Sequence, residues 1–332
     1  MVGGTGAPAS SASFLRRYLQ MYWLKPFDAV NDAANAWALR QFPWEEPILE
    51  VGGGDGVFSF IMHDGEFALT EDRYDQADPD RAGDLFDVYR NGYPLRITRE
   101  ASRSYLAGVD LKPSHVLKAR QTRLYRWLGV AAPEPLPFES GAFKTVFLYF
   151  PHGLKERGSV LDYGRVLREI RRVLRPDGTL LMTAVNQTIS ECFVCYPWQR
   201  VCARRSWQKL SNYFQRLDAG RYEEIVGLGR TPDEWRVMLE SSGFRLEEAW
   251  TQVSPLAWRV YDIQTRPVLK ALIRWSRFLK RVGLKRVVKA VWVAVWWPML
   301  AVFYWMCARP RRFSLDSGKP AGLFFAFRAV AT

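Results

Sequence analysis

The run Glu50-Val51-Gly52-Gly53-Gly54-Asp55-Gly56 sets a carboxylate at the end of an apolar stretch and glycines at alternate positions behind it. Glycine lets the backbone turn tightly and lets a ligand approach the main chain, and a helix opening just behind would offer free N–H groups. The third glycine comes one residue too early for the dinucleotide pattern G-x-G-x-x-G. A second carboxylate, Asp110, closes the apolar run 106–111. At a strand end in a doubly wound sheet, such an acid accepts hydrogen bonds from ribose hydroxyls. Cysteine chemistry is poorly supported. Cys192-x-x-Cys195 has no second pair, and His63, His115 and His152 stand at no ligand spacing from it, so no metal site is expected. Four cysteines give no disulfide framework and fit a reducing compartment.

Further segments indicate what positions these residues. The stretch 136–146 begins Leu-Pro-Phe and leads through Gly141 and Phe143 into a strand. Residues 167–181 read as a helix, the turn Arg175-Pro176-Asp177-Gly178 and another strand. Thr231-Pro232-Asp233-Glu234 is a capping box ahead of a helix, and Gly243 turns from it into the strand 244–253. In this order, from residue 45 to about 250, the segments resemble class I S-adenosylmethionine-dependent methyltransferases, specifically their type-11 group. The resemblance implies an α/β fold, a doubly wound, mostly parallel sheet of seven strands (the Rossmann-like methyltransferase fold). It implies S-adenosylmethionine as cofactor, bound by Glu50, Gly52, Gly53, Gly54, Gly56, Asp110 and Leu111, with Glu134 and Leu136 toward the adenine. Glu134 falls one or two positions later than the family's acid. His152, just past the family's fourth strand, is the candidate catalytic base, and Tyr149 the residue that orients the acceptor. A purely structural His152 is the competing reading.

The chain departs from the family in two places. Asp110 lies 54 positions after Gly56, where one helix and a turn would suffice. The extra segment, 64–103, carries nine acidic residues between Asp64 and Asp87 and is expected to be a lid over the cofactor or a solvated acidic loop. The second departure is an insert, 256–319, before the last strand. Its first part alternates Val268, Leu272, Trp275, Leu279 and Val282 with Lys270, Arg274, Arg277, Arg281 and Lys285, a basic amphipathic helix. Ala290–Ala308 follows, nineteen residues without a charge, with Pro298 near its middle and basic residues on both flanks. The net charge of +13 resides here: Pro255–Thr332 holds 15 Lys and Arg against Asp262 and Asp316, and the rest of the chain balances.

Nineteen apolar residues just suffice to span a bilayer. A single crossing would separate two strands expected to share one sheet, and both flanks carry the charge that prefers the cytoplasmic face. The insert is therefore expected to be monotopic, dipping in near Pro298, on the inner face of an anionic membrane. No secretory signal is expected at the N-terminus. The expected organisation is a tail with helices over 1–44, a catalytic domain over 45–255 plus 320–332, and an aromatic substrate cap over 187–230. Three functions compete. The first is methyl transfer to a lipid-borne acceptor (isoprenoid, quinone-like ring or lipid-linked sugar). The second is a soluble enzyme for a small molecule or sugar, with the insert as an oligomer interface. The third is a non-catalytic membrane scaffold, against which the intact Glu50 loop and Asp110 argue. Nucleic acid is a poorer partner, because the Trp-rich run beside the basic helix suits lipid better than phosphates.

Overall fold

The computed structural model describes residues 11–81, 84–89, 95–149, 162–225, 229–265, 268–314 and 322–332. The lead before Ser11 and His152 lie outside them. Two helices, α1 (Ser11–Met21) and α2 (Pro26–Leu39), precede the sheet. Pro26 takes the first position of α2, where its missing N–H leaves no bond unmade. β1 (Ile48–Val51) leads through the glycines into α3 (Val57–Met62). The acidic segment contributes a small two-stranded sheet, β2 (Glu66–Phe67) and β3 (Ile97–Arg99). Then follow β4 (Tyr105–Asp110), α4 (Pro113–Ala119), β5 (Tyr125–Val130), β6 (Phe143–Leu148), α5 (Tyr163–Val173) and β7 (Leu174–Val185). The remaining elements are α6 (Tyr196–Arg204), α7 (Gln208–Ile225), α8 (Pro232–Ser241), β8 (Phe244–Gln252), α9 (Pro255–Thr265), α10 (Val268–Arg281), α11 (Lys285–Phe303), β9 (Arg311–Phe313) and β10 (Phe324–Ala331).

The main sheet runs β5-β4-β1-β6-β7-β10-β8-β9. It is parallel from β5 to β7, while β10 is antiparallel to both its neighbours. The expected doubly wound, mostly parallel sheet is present, with eight strands rather than seven. The eighth, β9, is the tail of the insert, whose Arg311 pairs with Thr251 at the open edge of β8. Strand alternation divides the apolar residues between two layers. Leu49, Val51, Val146 and Leu148 pack against α5 and α8, while Ile48 and Phe147 share a core with α1, α2, α3 and the insert helices. The expected Thr231–Glu234 capping box opens α8.

The insert leaves β8 and returns to β9 at the same edge of the sheet, the one where the glycine loop follows β1. It differs from expectation in three respects. First, α11 runs unbroken through Pro298 and ends in a π turn, Tyr304–Ala308, so there is no bend for a re-entrant dip. Second, one face of α11 packs on the N-terminal helices: Trp292 lies edge-on to Trp23, and Trp296 and Phe303 lie edge-on to Phe27. Third, much of the basic side of α10 meets the acidic segment rather than lying open to a membrane. Arg274 reaches Asp80 at 2.6 Å, Lys280 reaches Asp75 at 2.8 Å, and Lys285, at the start of α11, reaches Asp72 at 2.9 Å and Asp75 at 2.7 Å. Ile273, Ser276 and Leu279 are the buried face of α10, whereas Val268 and Val282, from the expected apolar side, are exposed. The fold brings the negative segment alongside these cations, and opposite charges at contact outweigh a screened attraction to a distant surface.

Asp72 is fully buried and Lys285 nearly so, and removing one partner of such a pair leaves an uncompensated charge. Asp72 keeps the Trp23 indole N–H at 2.8 Å, which moderates the loss. Lys285→Ala should therefore lower unfolding stability by about 3 kcal/mol in denaturant titration. Lys280→Ala, whose partner retains Lys285, should cost about 1 kcal/mol or less.

Candidate functional site

Strand register assembles the site. Val51 pairs with Val109 on one side and Leu148 on the other, and Asp110 pairs with Val130. The glycine loop, Asp110 and Tyr149 therefore meet at the carboxyl ends of four neighbouring strands, where ligands bind in open α/β sheets. Gly52, Gly54 and Gly56 have φ of 74°, 58° and 74°, a region that disfavours side chains. A Cβ on Gly54 would have no atom within 4 Å, so this turn of the loop presents bare main chain to open space. The Gly54 N–H donates to Asp110 Oδ2 at 2.9 Å; Oδ1 accepts from the Lys112 N–H at 2.9 Å and lies 3.2 Å from His115 Nδ1. A left-handed glycine cradle with a carboxylate fixed at its rim fits a nucleoside ligand.

Glu50 is expected among the cofactor's contacts. It is fully buried beneath the loop, with Ser59 Oγ donating to Oε1 and Tyr125 Oη to Oε2, each at 2.6 Å. A Cβ on Gly53 would stand 2.9 Å from its Cδ, so the carboxyl props the loop from below. Burial pushes its carboxyl up to about 7, the two hydroxyls pulling it partway back. Leu111 follows Asp110 at the strand end. Glu134 is exposed on the loop after β5, and Leu136 is buried with its N–H donating to Glu169 at 2.7 Å. That amide is therefore engaged within the protein.

The acidic segment meets the glycine loop and α4. Arg73 pairs with Asp55 of the glycine loop at 3.1 Å and lies 4.3 Å from the Phe86 ring centre. Asp84 holds Lys112 at 2.5 Å, Asp87 accepts from Ser114 Oγ at 2.6 Å, and Lys118 donates to the Phe86 carbonyl. These contacts fasten the segment to the glycine loop and to α4.

Sequence reading missed Asp32. Tyr149, just past β6, stacks on Phe58 with ring centres 3.8 Å apart and donates its hydroxyl to Asp32 Oδ1 at 2.8 Å. Asp32 comes from α2, outside the methyltransferase motifs, and no local pattern marks it. Its carboxyl is pushed up to about 6, chiefly by burial, with hydrogen bonds from Tyr22 and Tyr149 opposing. Asp32 and Tyr149 both keep a partly exposed edge. The aromatic segment 187–230 is split: Phe193 is buried against Trp258, while Trp198, Trp207 and Tyr213 face outward.

The profile of a family described as a methyltransferase domain matches residues 90–182. Residues 90–182 thus carry a methyltransferase domain, and the sheet order and glycine cradle agree with a S-adenosylmethionine-dependent methyltransferase. Solved structures similar to it include a S-adenosylmethionine-dependent methyltransferase, possibly a histamine N-methyltransferase, from Thermotoga maritima (11% identity, TM-score 0.48, covering 97% of each chain). Another is a methyltransferase of Bacillus halodurans (15% identity, TM-score 0.42, covering 89% of this chain and 98% of that one). A third is a geranyl diphosphate methyltransferase in complex with S-adenosylmethionine (11% identity, TM-score 0.45, covering 94% and 91%). No curated protein matches the sequence.

Asp110→Ala should weaken S-adenosylmethionine binding about tenfold or more in calorimetry, since a hydrogen bond to a charged group contributes about 1.5–3 kcal/mol. Unchanged affinity in a folded variant would remove Asp110 from the site. Glu50 makes a pH prediction. Its folded value of about 7 exceeds its ordinary value of 4.5, so the folded state keeps a proton that the unfolded chain releases. That contribution is fully present below about pH 4.5 and is lost as pH rises to about 7. Glu50→Gln should flatten this decline in melting temperature between pH 5 and 7.5.

Proposed function

We propose that this enzyme methylates a lipid-borne acceptor at a membrane surface, on the cytoplasmic face. The observation that carries the reading is the outward face of α11. Leu284, Val287, Val291, Val295, Met299 and Val302 recur every three or four residues, each more than half exposed. The helix with its π turn, Lys285–Ala308, is long and apolar enough to cross a membrane, and only 17% of its most apolar window is buried. Its ends argue for lying on the surface instead: Lys285 is locked to Asp72 and Asp75, and β9 returns to the sheet. Burying a large apolar side chain contributes about 1.5–3 kcal/mol, against about 1 kcal/mol for a cation near anionic lipid. Two of the five cations of α10, Arg274 and Lys280, are already paired with carboxylates, and Arg277 donates to the Ala77 carbonyl, so the apolar term dominates. The opposite face of α11 packs on the N-terminal segment that supplies Tyr22 and Asp32, which places the apolar stripe on the same part of the fold as the strand-end site.

S-adenosylmethionine, when bound, supplies an electrophilic methyl group. The chain aligns the acceptor with it and excludes water, and a hydroxyl or ring-carbon acceptor must also lose a proton. Asp32 is placed to take that proton on its carboxylate, with Tyr149 and Tyr22 orienting it. A folded value near 6 leaves it ionised at neutral pH yet basic enough to serve. This role replaces the one expected of His152, which lies outside the described residues.

Enzyme given methyl-labelled cofactor and membranes should deliver label to the organic extract; label confined to water-soluble products would refute the lipid acceptor. Neutral phosphatidylcholine vesicles should capture the protein in flotation, even in high salt, and Val291→Glu with Val295→Glu should abolish capture. A reversible dimer that ignores vesicles would make α11 a subunit interface. Asp32→Asn should retain cofactor binding and lose at least about a hundredfold in turnover, with wild-type kcat/KM falling below about pH 6. Wild-type rates in that variant would exclude Asp32 as the base.

A further inference from the structure

Beside the exposed face of α11 runs a groove that the catalytic site does not use. It lies between α11 and α1 and encloses a cavity of about 370 Å3. Arg16, Arg286 and Lys289 form its polar rim, and Val293, Ala294 and Trp297 form much of its apolar floor. No acidic residue lines it. This is unusual for the neighbourhood, where Arg17 is bound to Asp64 and Glu66, Arg40 to Asp64, and Lys285 to Asp72 and Asp75. Arg16 and Arg286 have no ionic partner among the described residues. Lys289 is buried and donates to the Glu71 carbonyl, which leaves two of its three N–H donors. A second observation points the same way. The Trp297 indole N–H is buried and has no acceptor among the described residues, although this residue lines both the groove and an adjoining cavity of about 550 Å3.

We propose that this groove is a binding site for a lipid phosphate, its head on Arg16, Arg286 and Lys289 and its hydrocarbon tail over Val293, Ala294 and Trp297. Two guanidinium groups and an ammonium around one cavity, with no carboxylate in its lining, select an anion rich in acceptor oxygens. The apolar floor selects a hydrocarbon beside that anion. The orphan indole N–H requires an acceptor, which a phosphate or ester oxygen supplies. Position supports the same class of ligand. Ala290, Val293, Ala294 and Trp297 occupy the row of α11 next to the exposed Val291 and Val295, so a tail leaving the groove passes onto the lipid-facing stripe. The larger cavity contains Glu66 and is the poorer place for the phosphate itself.

The site rests on the membrane reading only for where the tail continues, and a soluble probe separates the two. Dihexanoyl phosphatidic acid, below its micelle concentration, should bind the full-length protein in calorimetry at least about tenfold more tightly than inorganic phosphate. Arg16→Gln with Arg286→Gln should weaken it by about tenfold or more, both residues being exposed and outside the core. Trp297→Phe, which keeps the ring and removes the donor, should weaken it by a smaller factor. Capture by neutral phosphatidylcholine vesicles should survive all these changes, because it depends on the stripe of α11. Equal affinity in the double arginine variant would overturn the site. Inorganic phosphate binding as tightly as the short-chain lipid would overturn the lipid assignment. Loss of vesicle capture with phosphatidic acid binding intact would overturn the membrane reading and leave the site standing.

Discussion

The buried contact between Lys285 and the turn at Asp72–Asp75 is the joint on which the rest of this structure depends. Two carboxylates and an ammonium out of water are costly unless they meet closely, and here they meet at 2.9 and 2.7 Å. The same turn carries Arg73, which pairs with Asp55 of the glycine loop at 3.1 Å. Four consecutive residues thus face two ways. One side holds the start of α11, and the other holds the loop that cradles the cofactor. The acidic segment and the basic insert are far apart in sequence and individually unstable as charge clusters, yet each supplies the counter-ions of the other.

That joint explains where polar groups are buried elsewhere. Glu50 under the loop and Asp32 beside Tyr149 are carboxyls held where ionisation is resisted, and hydroxyl donors offset the cost in each. Glu50 uses Ser59 and Tyr125 to hold the backbone shape of the loop, a structural task. Asp32 retains an exposed edge at the strand ends, the arrangement required of a proton acceptor. The N-terminal helices reach the strand ends, because α2 brings Asp32 to Tyr149, just past β6. They are also part of the support for α11, through Trp23 and Phe27.

The insert divides its surface by function. Its tryptophans pack inward on α1 and α2, its cations meet the acidic segment, and what is left outward is aliphatic. A contiguous apolar stripe along a whole helix is larger than soluble monomers ordinarily expose.

Local sequence was sufficient for whatever depends on local physics. The glycines reveal a left-handed loop because few other residues tolerate those angles, and near-continuous apolar runs reveal which strands are buried on both faces. Asp110 was legible because it ends a strand, and α8 because Thr231 and Glu234 form a capping box. Helix α11 was legible as an apolar run, though not its continuity through Pro298. Pairing across the chain was not legible. Nothing near Asp32 signals that Tyr149, 117 residues later, will donate to it, and nothing near Asp72 announces Lys285. The fastening of the acidic segment and the groove beside α11 also exist only once distant segments meet. Charge carries no address in sequence, since any acid suits any base, and the packing of the apolar faces decides which of them come into contact.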